Sequence, residues 1–156
     1  MSQIETRLAE LGVTLPAAAA PVANYVPFVR TGNLLIISGQ ICFGLDGKLA
    51  DAHKGKLGQG ISLETGQEAA KLCAINLLAQ CKAALGDLDR IVRCVRLGGF
   101  INTDPHFAAL PQVMNGASDF MVAALGDRGR HARSTIGVAE LPADAAVEVE
   151  AMFEVA

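Results

Sequence analysis

A chain of 156 residues with 13 Lys and Arg against 16 Asp and Glu carries a formal net charge of -3. It offers no broad basic surface of the kind a grip on phosphates requires, so nucleic acid is not an expected partner. Hydrophobic content of 51% with only 4% aromatic residues implies a core of Ala, Val, Leu and Ile, and a chain this long buries roughly 70% of its unfolded surface.

The opening MSQIETRLAELG lacks the charged start and apolar run of a signal peptide. No apolar run reaches the roughly 18 residues of a membrane helix. The expectation is a cytoplasmic protein with one domain over residues 1–156, without a membrane partner. Cys42, Cys73, Cys81 and Cys94 show no CxxC spacing, and His53, His106 and His131 are scattered. Zinc sites present paired ligands at short spacing, so no metal or other cofactor is expected and the cysteines read as reduced thiols.

In chain order, Ser2 and Glu5 have the spacing of a capping box, and Ile4, Leu8 and Leu11 recur at helical intervals before Gly12. The stretch from Leu15 to Val22, with two prolines, reads as a plain connector. Residues 1–22 thus form an N-terminal extension. Tyr25 to Arg30 and Leu34 to Ser38 read as a hairpin around Thr31-Gly32-Asn33, closed by Ser38-Gly39-Gln40. Residues 48–60 are polar and rich in glycine, a surface loop. Ser62 to Leu85 is the strongest helix, with Thr65 and Glu68 as a capping box and Gly86 as its stop. Ile91 to Ile101 reads as a strand by its Ile, Val and Cys content. Thr103-Asp104-Pro105 predicts a helix start, with Pro111 kinking a helix that runs to Leu125.

The last stretch, Arg133 to Ala156, reads as two strands around a Leu141 to Asp144 turn. Alternation puts Val147, Val149 and Phe153 on one face and Glu148 and Glu150 on the other. If apolar faces pack on helices, Arg133 and Thr135 share the open face with the glutamates. The order β-β-α-β-α-β-β suggests a two-layer α+β sandwich with two helices on one face of a mixed sheet. A sheet face carrying Val, Cys and Thr beside charges seldom stays bare, so association through it is expected.

The segments RSTIGVAELPADAAVEVEA and GNLLIISGQ resemble the RidA family, also called YjgF-YER057c or L-PSP, from about Tyr25 to the C-terminus. The resemblance implies a chorismate-mutase-like fold and a homotrimer with clefts between subunits. It also implies hydrolysis of enamines and imines, such as 2-aminoacrylate, to 2-oxo acids and ammonia. Carried over residue by residue, Arg133 would bind a substrate carboxylate and Glu148 would orient or deprotonate water, these two being the catalytic pair. Tyr25, Ser38, Gly39 and Thr135 would line the substrate site. The chain departs from the deaminase pattern at Pro105, where that subgroup has asparagine, and at Thr135, where it often has cysteine. Turnover by a deaminase-type hydrolase and binding of a small carboxylate by a non-catalytic trimer both stay open; an endoribonuclease is the least favoured reading.

Overall fold

The computed structural model describes residues 2–156. Helix α1 (Gln3–Glu10) leads into an irregular segment and then strands β1 (Phe28–Thr31) and β2 (Leu34–Ile41). Two short strands, β3 (Lys56–Leu57) and β4 (Gly60–Ile61), precede helix α2 (Leu63–Leu85) and strand β5 (Ile91–Asn102). Helix α3 (Leu110–Leu125), strand β6 (Ala132–Val138) and strand β7 (Val147–Val155) complete the chain. The sheet order is β1-β2-β7-β5-β6, with β6 parallel to β5 and the other pairings antiparallel. Helices α2 and α3 cover one face, giving the expected two-layer α+β sandwich.

Local chemistry explains the boundaries. The Ser2 hydroxyl accepts the Glu5 N–H at 3.0 Å, and the Glu5 carboxylate accepts the Ser2 N–H at 3.1 Å, so the predicted capping box opens α1. Asp89 continues the cap, accepting from the Gln3 and Ile4 amides at 2.8 and 3.0 Å. The cap of α2 is Ser62, whose hydroxyl accepts the Thr65 N–H at 3.1 Å; the expected Thr65 and Glu68 box lies inside the helix instead. Ala69, Ala70, Cys73 and Ala74 are fully buried, and their small side chains let α2 lie close on the sheet.

Two expectations are corrected here. Helix α3 begins at Leu110, so Pro111 occupies its first turn, where a missing N–H costs nothing, and introduces no kink. Pro105 sits earlier, in a turn where the Asp104 carboxylate accepts the His106 N–H at 2.9 Å. Strands β6 and β7 flank the Leu141 to Asp144 turn but are not neighbours, since β5 lies between them. A direct bridge from Arg133 to Glu148 or Glu150 across one strand pair is thereby excluded.

The core is Leu35, Ile37, Leu77, Leu97, Ile101, Phe153 and their neighbours between sheet and helices. All four cysteines are buried free thiols. At the crossing of α2 and α3, any Cβ on Gly116 would collide with the Gln67 carbonyl, so glycine is needed for the two backbones to approach. Among the described residues no helix is long and apolar enough to cross a membrane.

Candidate functional site

The candidate residues fall into two groups on opposite faces of the sheet. Alternation along β7 buries Val147, Val149 and Phe153 toward the helices and sends Glu148 and Glu150 to the open face. Beside Glu148 lies a cavity of about 160 Å³, whose lining includes Tyr25, Gly39, Ile41, Phe43 and Pro142. Gly39 lies within the irregularity in the β2–β7 register, and a Cβ there would strike the Glu148 carboxylate. Burial raises the Glu148 carboxyl above its ordinary range, and the Glu150 carboxylate two residues along pushes the same way.

Tyr25 is 53% exposed at the cavity rim. Ser38 does not line the cavity; its hydroxyl donates to the Val26 carbonyl at 2.7 Å and its N–H to that of Pro27 at 2.9 Å. It anchors the segment that carries Tyr25. The stretch expected to be a plain connector has a further role, since Ala19, Ala20, Pro21 and Val22 wall the same cavity. Buried Gln80 fixes it there, donating to the Ala19 carbonyl at 2.8 Å.

Arg133 and Thr135 form the second group, and their expected face is corrected. In the register Arg133 stands beside Leu97 and Thr135 beside Gly99, which in turn pairs with Val149, all on the helix side. Ile136 instead faces outward and is 49% exposed. The alternation was right, but the assumption that every apolar residue of β6 faces the helices was not. The Thr135 hydroxyl is enclosed with no hydrogen-bond partner among the described residues. Glu148 lies two strands from β6, about 10 Å away across the ladder, and on the other face.

The Arg133 guanidinium is fixed by α3. Its Nη1 donates to Asn115 Oδ1 at 2.9 Å and to Ser118 Oγ at 3.1 Å, and Nη2 reaches the Pro111 carbonyl at 3.4 Å. No acceptor among the described residues reaches Nε. Nη2 carries two hydrogens, so with one directed to Pro111 the other can stand beside the Nε–H in one plane, the arrangement that matches a carboxylate. Asn115 and Ser118 were not singled out in the sequence. Their spacing of three places them on one side of α3, but which strand residue they meet depends on how the helix docks.

Among the described residues no group of three or more His, Cys, Asp or Glu side chains is placed to hold a metal ion.

Residues 5–154 match the model of the YjgF/chorismate mutase-like family, whose description carries an endoribonuclease label. The chain belongs to this family. The match reaches into α1, so the family likeness extends beyond the Tyr25 boundary read from the motifs. Protein TCP17 of Trypanosoma cruzi is 44% identical over 153 residues, covering 97% of this chain and 94% of that protein. The crystal structure of Atu1372, a protein of unknown function from Agrobacterium tumefaciens, superposes with a TM-score of 0.91 at 48% identity, covering 98% of this chain and 92% of that one. A 2-iminobutanoate/2-iminopropanoate deaminase of Dermatophagoides farinae is 28% identical over 140 residues, covering 90% of this chain and 92% of that enzyme.

Proposed function

We propose that the protein hydrolyses small 2-imino acids, including those formed from 2-aminoacrylate, in clefts completed by a second copy of the chain. The observation that carries this reading is the Arg133 guanidinium, held at Nη1 by Asn115 and Ser118, with one Nη2 contact to the Pro111 carbonyl and an Nε without a partner among the described residues. Two parallel N–H donors grip a carboxylate in a defined plane, which a lysine ammonium does not. The likeness to the mite deaminase supports the choice of substrate class. Separation of Arg133 and Glu148 on opposite faces supports a cleft shared between copies, and closure of three copies into a ring gives three equivalent clefts.

In this reading Arg133 of one copy holds the substrate carboxylate and Glu148 of the next accepts a proton from water. The water oxygen bonds to the imine carbon, the C=N π pair moves to nitrogen, and nitrogen takes up a proton. The carbinolamine then collapses: its hydroxyl proton passes by way of Glu148 to the nitrogen, the C–O bond becomes a carbonyl, the C–N bond breaks and ammonia leaves. One imino acid and one water give one 2-oxo acid and one ammonia. A carboxylate whose pKa is raised by burial is a stronger base once ionised, which suits Glu148 to this step. Tyr25 and Gly39 border the reacting group, Ser38 keeps Tyr25 in place, and the backbone of β6 at Thr135, an edge strand with one side unpaired, adds polar groups.

Arg133→Ala and Glu148→Gln are each expected to lower ammonia release from freshly generated 2-aminoacrylate by about 10²-fold or more. Equal release by wild type and Arg133→Ala would overturn the proposal. Pro105, exposed and without a side-chain donor or acceptor, favours a second reading in which the same cleft binds a carboxylate without turnover. Calorimetry showing 2-oxo acid binding beside an inactive deaminase assay would select it.

A further inference from the structure

The hydrogen bonds that fix Arg133 continue past it. Ser118 Oγ lies 2.9 Å from His131 Nε2, and His131 Nδ1 lies 2.6 Å from the Gly129 carbonyl. A carbonyl oxygen can only accept, so Nδ1 carries the proton in the neutral ring and Nε2 is left as an acceptor. Ser118 must then donate to His131, and its lone pairs face the Arg133 Nη1 at 3.1 Å. With the ring neutral every link has one possible direction: Arg133 to Ser118, Ser118 to His131, His131 to Gly129. The chain joins β6, α3 and the turn of residues 126–129.

We propose that Ser118 and His131 are positioning residues for anion recognition, orienting the guanidinium so that its Nε and Nη2 edge faces the carboxylate of a 2-oxo or 2-imino acid. This deepens the reading of Arg133 as a carboxylate clamp and rests on it. A serine with a free rotor could accept from several directions; one whose proton is committed to His131 presents its lone pairs in a fixed sector. Asn115 supplies a second acceptor for Nη1, at 2.9 Å. With both acceptors set, the fork is held ready before ligand arrives, and less orientational freedom is lost on binding.

The test compares Ser118→Ala, Ser118→Thr, His131→Phe, His131→Gln and Arg133→Ala in the full chain. Pyruvate affinity is measured by calorimetry, and KM and kcat by ammonia release. Ser118→Ala and His131→Phe are expected to weaken pyruvate binding about tenfold, the loss of one charge-assisted contact, and to raise KM more than they lower kcat. Ser118→Thr keeps the hydroxyl and His131→Gln keeps an acceptor near Nε2, so both are expected to recover most of the affinity. Long-range ¹H–¹⁵N spectra of the unliganded wild type at neutral pH are expected to show His131 as the Nδ1–H tautomer, a result that does not depend on any variant folding.

Pyruvate binding by Ser118→Ala and His131→Phe equal to wild type, with binding lost in Arg133→Ala, would overturn the relay and leave the clamp standing. The Nε2–H tautomer would also overturn it. Pyruvate binding by Arg133→Ala equal to wild type would remove the clamp and the relay together.

Discussion

Glu148 is half-buried on a strand whose neighbouring pleat carries a second carboxylate, and both circumstances favour its protonated form. Its folded-state pKa lies above the unfolded value of about 4.3. The stability this contributes is therefore fully present below that value and is lost as pH rises through the folded pKa. Glu148→Gln removes the penalty, so at pH 7 the variant should melt slightly higher than wild type, the gain being small because solvent screens a half-buried carboxylate. At pH 4 the difference should shrink. Thermal denaturation at the two pH values checks this, and a variant that gains nothing at pH 7 would show that the carboxylate is well solvated. The placement of Glu148 was readable because β7 alternates without interruption. Arg133 was misplaced because β6 is less informative: Thr135 and Gly137 face inward although neither is strongly apolar, while Ile136 faces outward.

The turn from Leu141 to Asp144 is the element under most strain. Ala143 and Asp144 have φ of 56° and 58°, a left-handed conformation that L side chains rarely adopt. A network centred on the buried Asn102 compensates. Asn102 donates to Glu140, Asp144 and the Ala145 carbonyl at 3.2, 3.1 and 3.3 Å, and it accepts from the Lys56 ammonium at 2.6 Å. Lys56 also reaches the Ala139 carbonyl, so an ammonium ties both sides of the turn together. Pro142, between these anchors, lines the cavity beside Glu148. Ala143→Gly relieves one strained residue and should stabilise the fold by up to about 1 kcal/mol, a few degrees in melting temperature. A lower melting temperature would show that chain stiffness at Ala143 matters more than strain. The turn itself was legible from Pro142 and Asp144. The network was not, because it joins residues 46 or more positions from Lys56, and their meeting depends on sheet order. The start of α3 was missed for a local reason: two prolines, Pro105 and Pro111, each suit a first turn, and only the Asp104 turn decides against the earlier one.

The open face of the sheet carries Val29, Leu34 and Ile136 exposed, with Ile36, Phe100 and Met152 partly exposed between them. Arg96 crosses this surface, pairing with Glu150 at 3.6 Å and donating to Ser134 at 3.2 Å. An apolar face with a polar cross-link suits contact with another copy of the chain. Ile136→Glu is expected to shift the protein toward smaller species in sedimentation velocity and to reduce imine hydrolysis in parallel, because the cleft would be lost with the assembly. Unchanged sedimentation would mean that this face does not join subunits. The layer architecture was visible in the order of elements. Strand adjacency was not, since the Leu141 to Asp144 turn looks like a hairpin connection although β5 occupies the space between the strands it joins.

The position of β7 bears on how the molecule comes into being. It is inserted between β2 and β5, yet it follows both in the chain. While a ribosome is still extending the polypeptide, two ladder edges wait open for a partner that has not yet been made. Contacts between segments more than a hundred positions apart must form late and slowly, and during that interval each open edge can recruit a strand from a neighbouring nascent molecule.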